Sequence, residues 1–338
     1  MDDRTVLITG GAGYIGSHAV YAFLEAGYQV VVVDNLSTGR RENLPAGLPF
    51  ELADVADGAA MDRVMRKYRP LGVLHFAGSI IVPESITAPD KYYANNTAAS
   101  LRLIEACLRN DVGYFLFSST AAVYGIPEVG MASEDTPTRP INPYGRSKLM
   151  TEQFLADVSA AYGLRYAVLR YFNVAGADPD GRCGQGGRQS THLLKVACEV
   201  ASGRRDEMPV FGQDYDTPDG TCVRDFIHVS DLARAHLMVF QRLVESGVNL
   251  VLNCGNGRGV SVGEVIHALE AIVGHPIKIK PAPRRPGDPP ALVADATRLR
   301  TAIGWQARHG LDSIIRTALA WERKVAQPAQ SRASLPPL

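Results

Sequence analysis

The stretch TVLITGGAGYIG, residues 5–16, places Gly10, Gly13 and Gly16 between a short apolar run and the start of a periodic segment, with the spacing Gly-x-x-Gly-x-x-Gly. Gly10, Gly13 and Gly16 allow a tight turn, and they let backbone N–H groups and a helix N-terminus approach a pyrophosphate closely. The next apolar run, VVVVD, ends in Asp34, 18 residues after the last glycine. A carboxylate there accepts the ribose 2′-hydroxyl of NAD and repels the 2′-phosphate of NADP. The stretch therefore predicts a dinucleotide-binding turn that prefers NAD, with a merely tight turn after a strand as the alternative.

Outward from this stretch, short apolar runs alternate with longer segments of helical period. Further strands are predicted at residues 72–78, 114–119 and 166–172, and helices at residues 15–26, 89–109, 144–162 and near 193–202. Continuously apolar strands that alternate with helices indicate a parallel sheet covered on both faces. The predicted fold class is α/β: a Rossmann-type doubly wound parallel sheet with a smaller, partly interleaved α/β lobe that binds substrate.

The alternation breaks after residue 173, where GADPDGRCGQGGRQ is rich in glycine and polar residues. We expect an NAD-binding domain formed by residues 1–174 and 222–254. A smaller, substrate-binding lobe would follow from residues 175–221 and 255–326. Residues 327–338 show no periodicity and predict a flexible tail.

The composition limits the classes of function. Basic and acidic side chains cancel at 35 each, which argues against nucleic-acid binding as the main activity. Five widely spaced cysteines without a Cys-x-x-Cys pair suggest neither a disulfide framework nor a zinc site. The N-terminus is too short and too acidic for a signal peptide, and no apolar run approaches the about 20 residues of a membrane span. We expect a cytoplasmic protein that holds no metal and contacts neither membrane nor nucleic acid.

The stretch NPYGRSK, residues 142–148, places Tyr144 and Lys148 four residues apart behind a proline. Residues at i and i+4 share a helix face, and a lysine ammonium lowers the pKa of a neighbouring phenol from its ordinary value of about 10. Tyr144 would then be a usable proton acceptor. Taken alone, the pair is more typical of a solvated helix surface, so the rest of the chain must decide.

The glycine turn, FSSTAAVYG at residues 117–125 and NPYGRSK occur in that order, and together they resemble the extended short-chain dehydrogenase/reductase family. In that family a Ser or Thr, a Tyr and the Lys four residues later form the catalytic group, which the resemblance matches to Thr120, Tyr144 and Lys148. The strand before Thr120 would deliver it to the carboxyl edge of the sheet, where the cofactor lies. Within the family, RYFNVAGADPDG, GRRDEMPVFGQDYDTPDGTCVRDFIHVSDLA, LNCGNGRGVSV and RRPGDPPALVADA are similar to stretches of the UDP-glucose 4-epimerases.

The resemblance assigns one set of residues to NAD and another to a UDP-sugar. Besides the three glycines, the NAD set comprises Tyr14, Ile15, Asp34, Asn35, Leu36, Ser37, Thr38, Gly39, Asp54, Val55, Phe76, Ala77, Gly78, Ser79, Ile80, Asn96, Ser118, Tyr144, Lys148 and Phe172. The substrate set comprises Thr120, Tyr144, Asn173, His192, Leu193, Val210, Phe211, Arg224, Arg285, Asp288 and Leu292. The two arginines would clamp the diphosphate, because a planar guanidinium binds phosphate oxygens in pairs. Judged from the residues alone, Asp54 either holds the adenine amino group or is an ordinary acidic loop residue.

Three positions differ from the residues that some relatives carry. Some relatives carry Lys at the position of Ile80, and some carry Asn at the position of His192. Neither of these two departures touches the catalytic group. Leu292 stands where epimerases restricted to unacetylated sugars tend to carry Tyr. The smaller residue implies room for a 2-acetamido group, with ordinary core packing as the alternative.

The resemblance also implies a homodimer in which the helices at residues 89–109 and 144–162 pair across a twofold axis. Both helices carry apolar residues beyond a single stripe. These residues are Leu101, Leu103, Ile104, Leu108, Leu149, Phe154, Leu155 and Val158.

The reaction implied is interconversion of UDP-galactose and UDP-glucose at C4 through a transient 4-keto sugar, with NAD regenerated in each turnover. Tyr144 would take the C4 hydroxyl proton, Thr120 would hydrogen-bond the reacting oxygen, and Lys148 would hold the nicotinamide ribose. A nucleotide-sugar 4,6-dehydratase usually carries Asp-Glu after the catalytic Thr, where this chain has Ala121 and Ala122. A UDP-glucuronate decarboxylase would likewise need a Glu in that loop. Other NAD-dependent epimerases, such as those of UDP-pentoses, stay open, whereas non-catalytic NAD-binding relatives generally lose the Tyr/Lys pair.

Overall fold

The computed structural model describes residues 4–186, 191–285 and 288–326. The first half of the chain forms β1 (Thr5–Thr9), α1 (Tyr14–Glu25), β2 (Gln29–Asp34), β3 (Phe50–Leu52), α2 (Gly58–Tyr68), β4 (Gly72–His75), α3 (Val82–Thr87), α4 (Pro89–Tyr92), α5 (Ala99–Arg109), β5 (Tyr114–Thr120), β6 (Met131–Ala132), α6 (Pro143–Tyr162) and β7 (Arg165–Tyr171). The second half forms β8 (Asn173–Ala175), α7 (Leu193–Ala201), β9 (Met208–Phe211), β10 (Val223–His228), α8 (Val229–Ser246), β11 (Leu250–Cys254), β12 (Gly259–Ser261), α9 (Val262–Val273), β13 (Ile279–Ala282), β14 (Ala291–Ala294), α10 (Thr297–Ile303) and α11 (Leu311–Ala326). The predicted tail, residues 327–338, lies outside the described residues.

The large sheet is parallel throughout, with strands in the order β11-β7-β5-β4-β1-β2-β3. From β1 the chain moves outward to β2 and β3, and then returns to β4 on the other side of β1. This reversal opens a crevice at the carboxyl ends of the strands, which is where ligands bind in doubly wound folds. The predicted Rossmann-type sheet is confirmed.

Helices cover both faces of this sheet, which explains why its strands are apolar without interruption. Ile8 and Val6 of β1 face α1 and α8, where they join a core that includes Phe23 and Phe240. The alternate residue Leu7 faces α2, α5 and α6 and joins the second core. Because successive strand side chains point to opposite faces, burial on both sides requires an apolar residue at every position.

The smaller lobe has its own sheet, in the order β12-β10-β14-β6, with β8 also paired to β10, and a separate pair β13-β9. Two of these strands, β6 and β8, come from the first 175 residues, so the lobes interleave. Strand β10 pairs with β8, β12 and β14 in the smaller sheet, whereas α8, which follows it, packs in the core of the large sheet.

The helix predicted over residues 89–109 contains a π-helical turn, Tyr93–Ala98, between α4 and α5. Such a turn hydrogen-bonds to the fifth residue along the chain and widens the helix locally. It buries Asn96, which is only 1% exposed. The turn therefore aims a polar side chain into the crevice from a helix that otherwise packs on the sheet.

The apolar residues expected to pair helices across a dimer divide into two groups. Leu103, Ile104, Leu155 and Val158 are buried against the sheet, so the prediction was wrong to count them toward an outer face. The other four, Leu101, Leu108, Leu149 and Phe154, are half-buried. Met150 of α6, which the prediction did not include, is 44% exposed. Among the described helices, none combines the length and apolar character that crossing a bilayer requires.

Candidate active site

The glycine turn is built by close backbone approaches. Gly10 has a φ of 67°, and a Cβ on it would lie 2.5 Å from the Ala77 nitrogen. A Cβ on Gly16 would collide with the carbonyl of Gly10. Gly13 is the N-cap of α1 and offers no capping side chain, so the backbone N–H groups of the first helical turn face the crevice without a side-chain acceptor. This is the arrangement that binds a phosphate at a helix N-terminus.

Two residues that follow the glycine turn are held by the fold. The Tyr14 hydroxyl donates a hydrogen bond to the Gly176 carbonyl at 2.7 Å, which ties the turn to the loop that begins the smaller lobe. Ile15 is half-buried and packs against the core on the α1 face. Neither contact tests their assignment to NAD.

Asp34 lies at the carboxyl end of β2, beside the glycine turn, and is 7% exposed. Its carboxylate accepts the Ala12 N–H at 3.0 Å and the Leu36 N–H at 2.8 Å. Leu36 adopts a left-handed φ of 58°, which turns its N–H toward the carboxylate. Burial raises the pKa of Asp34, and the two backbone donors oppose that shift. A Cβ on Gly39 would lie 2.9 Å from the Asp34 carboxylate oxygens, so the loop closes over this acid.

The remaining predicted adenosine contacts form the loop after β2 and its neighbour. The Asn35 amide donates to the Asp54 carboxylate at 3.0 Å, and the Ser37 N–H donates to the Asn35 side chain at 3.0 Å. Val55 is buried in the core behind them, and Thr38 lies in the same loop as Ser37. The structure thus places Asp54 beside Asn35, at the edge of the crevice.

The segment after β4 runs along the crevice and is held by Asn96. The Asn96 amide oxygen accepts the Ser79 N–H at 2.7 Å, and its amide nitrogen donates to the Ser79 carbonyl at 3.0 Å and to Ser147 Oγ at 3.1 Å. Phe76 packs against His236, with ring centroids 4.8 Å apart, and Ile80 is 50% exposed. The segment also contains Ala77 and Gly78. Asn96 therefore fixes this segment to the helix that carries Tyr144.

Thr120, Tyr144 and Lys148 come together at the carboxyl edge of the large sheet. Helix α6 begins with the Asn142 side chain accepting the Gly145 N–H at 2.8 Å, so Tyr144 lies in its first turn and Lys148 one turn later. Thr120 is the last residue of β5, and its hydroxyl hydrogen-bonds the Tyr144 hydroxyl. The Lys148 ammonium donates to the Ser118 carbonyl at 3.0 Å. All three predicted catalytic residues are more than nine-tenths buried.

The pKa values around this group differ from the simple expectation. Burial raises the pKa of Tyr144, and the hydrogen bond with Thr120 lowers it by less. The Lys148 ammonium is directed to the Ser118 carbonyl, and the pKa of Tyr144 is raised overall rather than lowered. Burial also lowers the pKa of Lys148 to about 8.

Two tyrosines beside Tyr144 were not identified from the sequence. The Tyr92 ring meets the Tyr144 ring edge-on, with centroids 6.3 Å apart. Tyr171 pairs with Thr120 in the sheet register, and its hydroxyl accepts the Ser118 hydroxyl at 3.1 Å. The register of β5 and β7 would have placed Tyr171 here, but nothing in the spacing points to Tyr92.

The predicted phosphate ligands lie in the smaller lobe. Arg224 on β10 donates to the Asp288 carboxylate at 2.6 Å and to the Val223 carbonyl at 2.8 Å. The Arg285 guanidinium stacks on the Phe211 ring at 3.9 Å. The Asp288 N–H donates to the Arg285 carbonyl at 3.2 Å, so the residue that pairs with Arg224 is hydrogen-bonded to the backbone of Arg285. The structure therefore brings the two predicted diphosphate ligands together.

The other predicted substrate residues surround these arginines or the catalytic group. His192 is the N-cap of α7, where burial and then Arg285 lower its pKa. Leu292 pairs with Arg224 in the sheet register and packs beside a cluster that contains Phe172. The others are Asn173, exposed at the start of β8; Leu193, half-buried at the start of α7; and Val210, buried in β9. Among the residues that the structure describes, no group of three His, Cys, Asp or Glu side chains could hold a metal ion.

Comparison with known proteins agrees with this geometry. Residues 6–255 match the model of the NAD dependent epimerase/dehydratase family. The UDP-glucose 4-epimerase of Azospirillum brasilense is 57% identical over 333 residues, covering 97% of this chain and 96% of that protein.

Two solved structures are similar throughout. The UDP-glucose 4-epimerase of Brucella ovis in complex with NAD has a TM-score of 0.92 at 45% identity and covers 95% of this chain and 98% of that one. The UDP-Glc/GlcNAc 4-epimerase of Campylobacter jejuni has a TM-score of 0.83 at 45% identity, with 95% and 99% covered. The family predicted from the motifs is confirmed: this chain belongs to the NAD-dependent epimerase/dehydratase family and, within it, to the UDP-glucose 4-epimerases.

Proposed function

We propose that the protein interconverts UDP-galactose and UDP-glucose by inverting C4 of the hexose, with NAD held in the crevice of the large sheet. The observation that carries this proposal is the meeting of Thr120, Tyr144 and Lys148 at the carboxyl edge of the large sheet. The large sheet would bind the dinucleotide and the smaller lobe the UDP-sugar.

The residues of the crevice fit NAD. The backbone around Gly10 is too crowded for a side chain, while the start of α1 presents N–H groups suited to a pyrophosphate. The Asp34 carboxylate, held by two backbone donors, can still accept ribose hydroxyls and would repel a 2′-phosphate. Lys148, Asn96 and Phe172 would bound the nicotinamide end. When bound, NAD supplies a reversible acceptor for the hydride of C4.

Tyr144 is the group best placed to move the hydroxyl proton of C4. Its hydroxyl shares a hydrogen bond with Thr120, which would also contact the reacting oxygen and guide the proton. Burial favours neutral tyrosine in the protein without cofactor, so Tyr144 needs a positive charge nearby to act as a base. Lys148, buried one helical turn away, supplies that charge while it is protonated. The same tyrosine would return the proton when the opposite face of C4 is reduced.

The smaller lobe would hold UDP while the sugar turns. Arg224 and Arg285 offer planar guanidinium groups for the diphosphate, and the Arg285 side chain is braced on the Phe211 ring. Inversion requires the 4-keto sugar to present its other face, so a firm grip on UDP and a loose one on the hexose suit the reaction. Ala121 and Ala122 follow Thr120 in a short 3-10 turn, and neither offers the acid or base that a dehydratase needs.

The experiment that tests this function uses purified protein and UDP-galactose without added cofactor. We expect UDP-glucose to appear by chromatography until the two sugars reach equilibrium, and nicotinamide absorbance to accompany the protein. Heat-killed protein is the blank. Failure to form UDP-glucose even after NAD is added would overturn the proposal.

A second candidate substrate class is UDP-N-acetylhexosamine. Leu292 is half-buried beside Phe172, and it leaves more space than a tyrosine would at the same position. The Campylobacter jejuni relative, 45% identical, is named for both UDP-Glc and UDP-GlcNAc. We expect measurable turnover of UDP-N-acetylglucosamine, slower than that of UDP-galactose. Replacing Leu292 with Tyr should lower the ratio of acetylated to plain activity, and an unchanged ratio would assign Leu292 to core packing alone.

A further inference from the structure

A buried ion pair lies directly behind the catalytic helix. Glu152 follows Lys148 by one turn on α6, and its carboxylate accepts Arg170 of β7 through Nη2 at 2.6 Å and Nε at 3.0 Å. The side chains are 6% and 9% exposed. Ser119, which immediately precedes Thr120 on β5, also donates its hydroxyl to the Glu152 carboxylate. One carboxylate therefore joins the strand that carries Thr120 to the helix that carries Lys148.

The arginine extends this connection toward the smaller lobe. Arg170 donates through Nη1 to the Tyr124 hydroxyl at 3.0 Å, and that hydroxyl donates to the Asn253 side chain at 2.6 Å. The Asn253 amide in turn donates to the Ala132 carbonyl at 2.8 Å. A buried hydrogen-bond network in which every member has a partner is rigid. Losing one member leaves buried polar groups without partners, which costs free energy of folding.

Few other groups near Lys148 carry charge at neutral pH. Burial lowers the pKa of His75 on β4 to about 3, so that imidazole is neutral. Burial raises the pKa values of Tyr92 on α4 and Tyr171 on β7, so both phenols are neutral, and it raises that of Tyr124 as well. Among the described groups, Glu152, one turn further along α6, is the charge that acts on Lys148, and Arg170 is the cation paired with that carboxylate. Burial lowers the pKa of Lys148 to about 8, and Glu152 opposes that shift.

We propose that Glu152 is a positioning residue for the reaction: its charge, balanced against Arg170, sets the pH range in which Lys148 is protonated and Tyr144 can act as a base. The proposal rests on the proposed function, because the tyrosine and lysine must act together in turnover. Removing the carboxylate would leave the Arg170 guanidinium without its buried partner, and Lys148 without the negative charge that favours its ammonium. Added positive potential makes a lysine easier to deprotonate and a tyrosine easier to ionise. Both pKa values then move down together.

The test is the pH dependence of kcat for UDP-galactose in wild type and Glu152→Gln. In wild type, kcat should rise on the acid side of the pH profile as the base ionises, and fall on the alkaline side as the ammonium is lost. The midpoints of these two limbs of the profile belong to the coupled group, not to either residue alone. We expect both limbs of Glu152→Gln to shift to lower pH by at least about half a unit. A merely structural role would lower the rate at every pH and leave the limbs in place.

A direct readout separates this proposal from the proposed function. The carbon-13 shift of the Lys148 side chain, assigned with Lys148→Arg, gives its titration midpoint without turnover. We expect a lower midpoint in Glu152→Gln than in wild type. A wild-type protein without epimerase activity would defeat the proposed function, whereas an active wild type with unmoved limbs and midpoint in Glu152→Gln would defeat the role of Glu152.

Matched variants control for loss of a buried charge. Glu322 of α11 is 2% exposed and pairs with Lys195 and with Arg204 at 2.6 Å, in the smaller lobe. Glu322→Gln should lower the free energy of unfolding and leave both limbs where they are. The double variant of Glu152→Gln and Arg170→Met removes opposite charges together, so its limbs should return toward wild type. If Glu152→Gln alone does not fold, the double variant and Arg170→Met still test the proposal. Arg170→Met leaves the Glu152 carboxylate unbalanced, so both limbs should shift to higher pH. Limbs that move equally in Glu322→Gln, or stay shifted in the double variant, overturn the proposal.

Discussion

Replacing Gly10 with alanine tests whether backbone crowding shapes the phosphate turn. The new Cβ would lie 2.5 Å from the Ala77 nitrogen and 2.9 Å from the Phe76 carbonyl carbon. Both are backbone atoms, so no side-chain rotation can relieve the contact, and the turn or the segment after β4 must move. The left-handed φ of 67° costs an alanine about 1–2 kcal/mol, and overpacking adds about 1–3 kcal/mol. We expect the free energy of unfolding to fall by about 2–5 kcal/mol.

A second glycine isolates the crowding. Gly47 has a similar φ of 75°, but no atom beyond its two chain neighbours lies within 4 Å of the Cβ it would gain. Gly47→Ala should therefore cost only the conformational part, about 1–2 kcal/mol. Urea unfolding of both variants and wild type, after bound nucleotide is removed, gives the comparison.

Cofactor retention provides the functional half of the same experiment. Gly10→Ala displaces the turn that would receive the pyrophosphate, so it should lose nicotinamide absorbance on gel filtration, whereas Gly47→Ala should keep it. The reasoning is refuted if the two variants lose equal free energy of unfolding. It is also refuted if Gly10→Ala retains as much NAD as wild type.

Three further predictions concern the base, the cofactor and assembly. Tyr144→Phe should lower turnover of UDP-galactose by at least about 100-fold while NAD stays bound, with the exposed Tyr162→Phe as control; wild-type turnover would remove Tyr144 from its role. Calorimetric titration of nucleotide-free protein should show NAD binding at least about tenfold tighter than NADP, because Asp34 faces a 2′-phosphate without compensation; equal affinities would contradict this. Light scattering at micromolar concentration should give a dimer that Met150→Arg dissociates and Val248→Arg, also on an exposed apolar residue, does not; a monomeric wild type would count against the helix pairing.

The large sheet could be predicted from sequence because burial on both faces leaves an unmistakable apolar pattern. The strands predicted at residues 114–119 and 166–172 appear as Tyr114–Thr120 and Arg165–Tyr171. The π-helical turn Tyr93–Ala98 could not be predicted, since it changes the hydrogen-bond spacing of a continuous helix without altering its composition. The partners of β10 were also missed, because strand pairing depends on which edges are free once the whole chain has folded.

The site was predictable where residues lie close in sequence and less so where they meet only in space. The turn at Gly10 and the acid at Asp34 follow from spacing, whereas the pair Tyr144 and Lys148 was assigned through the family resemblance of the surrounding motifs. The Glu152–Arg170 ion pair joins a helix to a strand 18 residues away, and no short motif signals it. The pKa of Tyr144 moves opposite to the pairwise expectation, because burial outweighs a neighbour whose ammonium points elsewhere.

The late position of β11 in the chain has a consequence for how the protein is made. Strand β11 completes the large sheet by pairing with β7, yet about 80 residues separate the two strands in the chain. A ribosome needs about 4–16 seconds to add them, at about 5–20 residues per second. During that interval the nascent chain carries β7 with one row of backbone N–H and C=O groups unpaired, which any extended segment nearby can match. Translation pauses between these two strands prolong the exposure of this edge of β7, whereas pairing with β11 covers it.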